Sequence, residues 1–393
     1  MIVGLIALSL LALGAWLGQL ALRGGFWRAD QRLAPAPPAL ARWPAVVAVI
    51  PARDEAPVIG RAVASLLGQD YPGRLTLVLV DDHSEDGTAE QASRAAVELG
   101  AENRLAILSG APLPAGWTGK LWAVEQGVRR AAALGDPPYL LLSDADVVHD
   151  PGSLRRLVAK AEDEALDLVS LMVLLHCRTW WERLLIPAFV FFFQMLYPFP
   201  LVNDVRSRVA AAAGGCMLVR REALARTGGV GAIRGAIIDD CALARRIKRQ
   251  GGRIWLGLSE TVSSVRPYGC VHEIWRMVAR SAYTQLRYSP LLLAGTVLGM
   301  TLLFLAPPAI IVVGAVVDAP ISVGLAHMAW ALMAAAYWPT LQLYGRPTMA
   351  ALLLPVAAFL YTAMTVDSAL RHWRGVGGAW KGRTYPRNLA SSA

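Results

Sequence analysis

The first 22 residues carry no charged side chain, and residues 291–370 are nearly as apolar, interrupted only by Asp318, Arg346 and Asp367. A bilayer's hydrocarbon core calls for roughly 20 consecutive apolar residues in a spanning helix, and both ends of the chain supply them. The chain is thereby restricted to a water-facing middle held between membrane-embedded ends. Composition agrees: 55% of residues are hydrophobic and 17% charged, with a mean hydropathy of +0.43, against about 45–50% and 25% in soluble domains. That balance excludes intrinsic disorder.

Residues 1–22 are followed by Arg23, Arg28, Arg32 and Arg42 against one acid, Asp30. Basic residues on the far side of an apolar run place the chain beyond it in the cytoplasm. A cleaved signal peptide would carry its basic residues before the run, so 1–22 reads as an uncleaved anchor. The formal net charge of +9 then reflects arginines beside anionic headgroups. No basic run interleaved with aromatic residues points to nucleic acid.

Residues 23–44 form a basic, Pro-rich linker, and from 45 to about 257 strand-like and helix-like segments alternate as in an α/β sheet. Short apolar runs predict strands at 46–50, 75–80, 104–108 and 139–142, with helices at 58–67, 88–99 and 120–134. Functional residues in such a sheet gather at the carboxyl ends of strands. Three polar clusters stand there: Pro51-Ala52-Arg53-Asp54-Glu55, Asp81-Asp82-His83-Ser84 and Ser143-Asp144-Ala145-Asp146.

Residues 184–202 are uncharged, but Pro187, Pro198 and Pro200 should interrupt a helix there. A crossing would also separate the upstream acids from Asp239 and Asp240. The expectation is an interfacial segment with Trp180, Trp181 and Tyr197 at headgroup depth, a buried core helix being the alternative. Within 289–370, counting yields spans at 291–317, 321–344 and 348–370. Three crossings would leave the basic tail 371–393, with Arg371, Arg374, Lys381, Arg383 and Arg387, outside. An even number is therefore expected, with Pro307-Pro308 folding 291–317 into a re-entrant hairpin.

Asp144 and Asp146 are two carboxylates at i and i+2 beyond a strand, where alternation sends both to one side. Such hard oxygen ligands can hold Mg²⁺ or Mn²⁺ and leave positions open for a diphosphate. Two other readings fit the pair alone. One is a solvated turn opening the helix after Pro151. The other is the nucleophile motif of a haloacid-dehalogenase phosphatase, which normally closes a domain's first strand, whereas three strands precede it here. The six histidines are scattered singly, and Cys177, Cys216, Cys241 and Cys270 form no CxxC pair, which disfavours zinc and a disulfide framework. Gly228-Gly229-Val230-Gly231 lacks the strand-turn-helix frame of a dinucleotide fingerprint, and reads as a flexible loop.

Six motifs succeed one another in order: VVAVIPARDEAPVIGRAVASLLGQDYP, LVLVDDHSEDGTAE, GWTGKLWAVEQG, LLLSDADVV, AAAGGCMLVRREAL and IIDDCALARRIKRQGG. Over 45–288 this resembles family 2 of the inverting nucleotide-sugar glycosyltransferases. The anchor, GWTGKLWA, QLRYSP and AWKGRTYP are similar to membrane-bound members associated with hopanoid and carotenoid lipid pathways.

The resemblance implies an α/β fold of GT-A type, a Rossmann-like nucleotide-sugar-binding domain at 45–288. One amino-terminal transmembrane helix (1–22) and a carboxyl-terminal transmembrane bundle (289–370) would flank it, at the cytoplasmic membrane. It also implies a UDP-sugar donor and a membrane lipid acceptor. Pro51, Ala52, Arg53, Glu55 and Asp82 match the positions that hold base and ribose, and Lys120 the one beside the diphosphate. Asp144 and Asp146 match the metal pair, with Asp144 also on the donor. Asp240 matches the general base, and Asp239 stands where the family has Glu. Gln285, Arg287 and Tyr288 fit the QxxRW of processive synthases only loosely, with the glutamine one position late, which favours transfer of a single sugar. They stand as candidates for acceptor or diphosphate contact. A processive synthase and a catalytically silent nucleotide-sugar-binding protein are the alternatives.

Overall fold

The computed structural model describes residues 1–375 and two short strands at 379–380 and 383–384; the rest of the basic tail, Lys381 and Arg387 included, lies outside the described residues. The chain opens with helix α1 (Ile2–Leu22). An α/β run comes next: β1 (Val46–Ala52), α2 (Ala56–Leu67), β2 (Leu75–Asp81), α3 (Thr88–Glu98), β3 (Leu105–Ser109), α4 (Gly119–Ala133), β4 (Tyr139–Ser143), β5 (Val147–His149), α5 (Ser153–Asp163) and β6 (Leu168–Leu174). After α6 (Trp180–Leu196) and α7 (Phe199–Asn203) the run resumes with β7 (Cys216–Arg220), α8 (Arg221–Arg226), α9 (Asp239–Arg249) and β8 (Ile254–Ser264). Helices complete the chain: α10 (Val271–Ala279), α11 (Ala282–Gln285), α12 (Pro290–Met300), α13 (Ala306–Val316), α14 (Pro320–Leu343) and α15 (Leu354–Trp373). Backbone contacts divide these into a sheet unit, built on Gln31–His176 with Leu201–Arg266, and a helical unit, Met1–Asp30 with Cys177–Pro200 and Pro267–Gly377.

In the sheet unit, eight strands run in the order β3-β2-β1-β4-β7-β6-β8-β5. The first four are parallel, with Val46 opposite both Leu75 and Tyr139, and β7 pairs antiparallel to β4 and β6. Every residue of β1 is buried, the environment that demands an unbroken apolar run from a central parallel strand. The mixed sheet with helices on it is the α/β architecture expected. Helix α4 lies against β1 at Gly127, where an added Cβ would come within 2.3 Å of Val49 Cγ1. Only a glycine lets the two elements approach so closely. One detail differs from expectation. Asp144 and Asp146 do not share a face by strand alternation, because the chain turns between β4 and β5, with Val147 N donating to Asp144 O at 3.2 Å.

In the helical unit, α12 continues through a π-helical turn (Thr301–Leu305) into α13, so Pro290–Val316 is one helix of 27 residues. The hairpin expected at Pro307-Pro308 does not form. Both prolines directly follow the π turn, the kind of local adjustment that lets an apolar helix continue past residues lacking an N–H. Among the described residues, four helices are long and apolar enough to cross a membrane: Ile2–Leu22, Pro290–Val316, Pro320–Leu343 and Thr348–Trp373. In segment 184–202 the break expected at Pro187 does not occur. Helix α6 starts at a capping box of Thr179 and Glu182 and runs through Pro187, ending only before Pro198. Burial of Leu185, Ile186, Val190 and Phe191 offsets the one bond that Pro187 removes. Trp180 is exposed, but Trp181 Nε1 donates to Tyr268 O at 2.9 Å and Tyr197 Oη to Gln285 Oε1 at 2.8 Å, so these two aromatics turn into the unit.

Contacts within this unit gather several helix ends. Arg23 Nε, just past α1, donates to Met195 O near the end of α6. Tyr283 N of α11 donates to Ser368 Oγ of α15 at 3.0 Å, Tyr288 stacks on His372, and Leu293 of α12 packs with Ala369. Elsewhere, Ser9 of α1 meets Ser322 O at the start of α14, and the turn between α13 and α14 brings Gly314 against Val323.

Candidate active site

The carboxyl ends of β1, β2 and β4 supply the polar clusters of the sheet unit, and backbone hydrogen bonding locks the first two together. Asp82 N donates to Ala52 O at 2.8 Å, and Arg53 Nη1 donates to Asp82 O at 2.8 Å while lying 3.6 Å from its carboxylate. Glu55 N donates to Thr88 Oγ1 and Ala56 N to Asp86, both at the start of α3. Pro51, Ala52, Arg53, Glu55 and Asp82 thus form one corner, with Glu55 and Asp82 nearly sealed from solvent. Asp54 and His83 adopt positive φ of 51° and 57°, a conformation Asp and His tolerate better than most residues.

Lys120 sits in the first turn of α4, which Thr118 caps by accepting from Leu121 N. Its Nζ lies 2.9 Å from Asp144 Oδ1 and 3.4 Å from Asp239 Oδ2. Burial by itself would depress this ammonium, but Asp144, Asp239 and Asp240 together hold it well above the usual lysine range. Asp144 is raised, first by burial and then by Asp146 and Asp239, against the pull of Lys120. About a third of its side chain still meets solvent, so it is recessed in a cleft and open to a ligand. Asp239 and Asp240 open α9, where the helix dipole favours negative charge. Asp240 accepts from Cys241 N at 2.7 Å and Gly214 N at 2.8 Å. Burial and the adjacent Asp239 nonetheless push its carboxyl up to about 6.

A Cβ on Gly214 would stand 3.3 Å from Asp240 Oδ2 and 3.4 Å from Lys120 Nζ, so a bare backbone keeps the space between them open. The cleft there is lined by Lys120, Asp144, Asp239 and Gly214 and by an apolar wall that includes Val124, Leu142, Met217 and Ile233. The glycine-rich loop reaches it through Val230; Gly228 and Gly229 take positive φ, and Gly231 faces the Trp117 ring.

The structure therefore brings together Pro51, Lys120, Asp144 and Asp239 around one cavity, with Asp240 beside it. Gln285, Arg287 and Tyr288 belong to the helical unit, where Gln285 accepts from Tyr197 and Tyr288 stacks on His372. Sequence reasoning missed Arg266 and Ser264. Ser264 Oγ and Arg266 Nε reach Asp146 Oδ2 at 2.9 and 3.1 Å, and Arg266 also pairs with Glu55. No motif marks Arg266; it is a single base after a strand.

The model of the family described as glycosyltransferase like family 2 matches residues 44–283. An N-acetylglucosaminyltransferase of Mesorhizobium japonicum is 30% identical over 199 residues, which cover 48% of this chain and 42% of that protein. The chain thus matches less than half the length of that relative. A mannosyltransferase from Pyrobaculum calidifontis, PcManGT, solved with GDP-Man and Mn²⁺, superposes with a TM-score of 0.55 at 20% identity, over 94% of this chain and 99% of that one. With the family match covering more than half of the chain and the GT-A sheet carrying the six motifs, the chain belongs to the family 2-like glycosyltransferases.

Proposed function

We propose that this protein is an integral membrane glycosyltransferase of the cytoplasmic membrane that moves one sugar from a nucleotide-sugar, in the first instance a UDP-sugar, to a lipid hydroxyl. The observation that carries this reading is the position of Lys120, within ion-pair reach of both Asp144 and Asp239. The acid assigned to the diphosphate side and the pair assigned to the acceptor side are thereby no more than one side chain apart, the spacing a direct displacement needs.

The residues present fit a divalent ion. Asp144 and Asp146 offer only oxygen donors and lie close enough for the charge of Asp146 to raise Asp144. A pair of carboxylates with diphosphate oxygens and water completing the coordination is the mode Mg²⁺ prefers. Bound there, Mg²⁺ or Mn²⁺ would neutralise the leaving diphosphate; PcManGT was solved with Mn²⁺.

The rest falls to the chain itself. Arg53, Glu55 and Asp82 hold base and ribose in the β1–β2 corner, and Lys120 turns from Asp144 toward phosphate. Asp240 takes the acceptor's proton as the new bond forms on the face opposite the diphosphate, which inverts the anomeric centre. The looseness of the 285–288 match to QxxRW supports one transfer per acceptor. The test is release of nucleoside diphosphate from UDP- and GDP-sugars by the purified full chain in lipid extract, with mass spectrometry of the product. One sugar per lipid, lost with EDTA and restored by Mn²⁺ or Mg²⁺, is expected. Sugar polymers, no release from either donor, or full activity in metal-free buffer would overturn the reading.

A further inference from the structure

Each aspartate of the 144/146 pair already holds a cation belonging to the protein. Lys120 is on Asp144, and Arg266 is on Asp146 through Nε at 3.1 Å, with Ser264 Oγ on the same carboxylate oxygen. The backbone fastens this arrangement: Val265 N donates to Asp146 O at 2.9 Å, and Arg266 N to Ser264 Oγ. Nη2 of the same guanidinium pairs with Glu55, which is only 7% exposed and sits in the β1–β2 corner. Arg266 itself keeps 36% of its side chain in solvent, so it can leave one partner for another.

A divalent cation approaching this pair alone meets two like charges already seated on its ligands. A nucleoside diphosphate changes the balance. Its phosphates offer a planar guanidinium a better bidentate partner than a carboxylate that must be shared. We infer that Arg266 is a positioning residue, the counter-cation that keeps Asp146 closed to metal until a diphosphate draws it away, so that metal and donor enter together. Its second contact, to Glu55, ties that release to the corner assigned to base and ribose. This rests on the reading of Asp144 and Asp146 as the metal pair.

The experiment is Mn²⁺ binding to the purified full chain, monitored by the electron paramagnetic resonance of the free ion, with and without UDP or GDP. Without nucleotide, Arg266→Gln should bind Mn²⁺ about three- to fivefold more tightly than the parent, the range a partly exposed ion pair can supply. The gain in Mn²⁺ affinity on adding nucleotide should shrink in the same variant. Arg266→Lys, which restores the charge, should return nucleotide-free binding toward the parental value, which a merely structural role would not do. Equal or weaker nucleotide-free binding in Arg266→Gln, with the parent binding Mn²⁺ in the presence of nucleotide, overturns the role of Arg266 alone. No Mn²⁺ binding to any of the proteins, even with nucleotide, overturns the metal reading and this inference with it.

Discussion

Asp240 is a buried carboxylate crowded by Asp239 and held by two backbone amides, and burial together with the neighbouring charge outweighs the amides and Lys120. A base must be unprotonated to act, so a group raised to about 6 loses its function as the pH falls through that value, whereas an ordinary aspartate would stay ionised to about 4. The kcat/KM of the parent should therefore decline roughly tenfold per unit below about pH 6. Asp240→Asn keeps the size and removes the basicity. Its turnover should drop by at least ~10²-fold with donor and Mn²⁺ affinity within a few-fold of parental, and its acid limb should vanish. Near-parental turnover, or loss of donor binding in its place, would show that Asp240 is only a helix-terminus acid. Asp240, Asp144 and Lys120 were legible as chemistry because each stands in a short motif. Arg266 was not, because its importance comes from where its side chain ends.

Strands β1 to β4 announce themselves because buried parallel strands read as continuous apolar runs, and α2 to α4 because they fill the intervals. Strand β5, three residues long, and β7 exist by virtue of pairing with β8 and with β4 and β6, and no local pattern encodes such partners. The turn between β4 and β5 likewise replaced the alternation that sequence spacing suggested for Asp144 and Asp146. The α4–β1 contact offers a test at this scale. Gly127→Ala places a methyl 2.3 Å from Val49 Cγ1, so it should lower stability by about 1–3 kcal/mol by overpacking and raise the donor KM, since α4 carries Lys120. Adding Val49→Ala should recover part of both losses, a positive coupling readable in a double-mutant cycle of melting temperatures. Simple additivity would mean that α4 shifts freely on the sheet.

The helical unit bears on which side of the membrane the termini face. The ends of α1 and α6, helix α11, the start of α12 and the end of α15 are linked by contacts to one another, so the two flanks of the apolar regions, near 23 and near 374, belong to the same end of this unit. Together with the arginines after α1 and the basic residues from Arg371 onward, this predicts reporter fusions at Leu33 and at the carboxyl terminus that both read cytoplasmic. An external carboxyl terminus would mean that all three of the later long helices cross. Apolar length, flanking charge, the positions of β1 to β4 and the acidic motifs could be determined from the sequence by itself, because each is a property of neighbours along the chain. Only the tertiary structure decided that Pro307 and Pro308 continue a helix, that Lys120 sits within reach of Asp144 and Asp239, and that Arg266 closes on Asp146 from 120 positions away. Those outcomes depend on strand pairing and on close packing between distant segments, where free energy is gained by contacts that no local stretch of sequence contains.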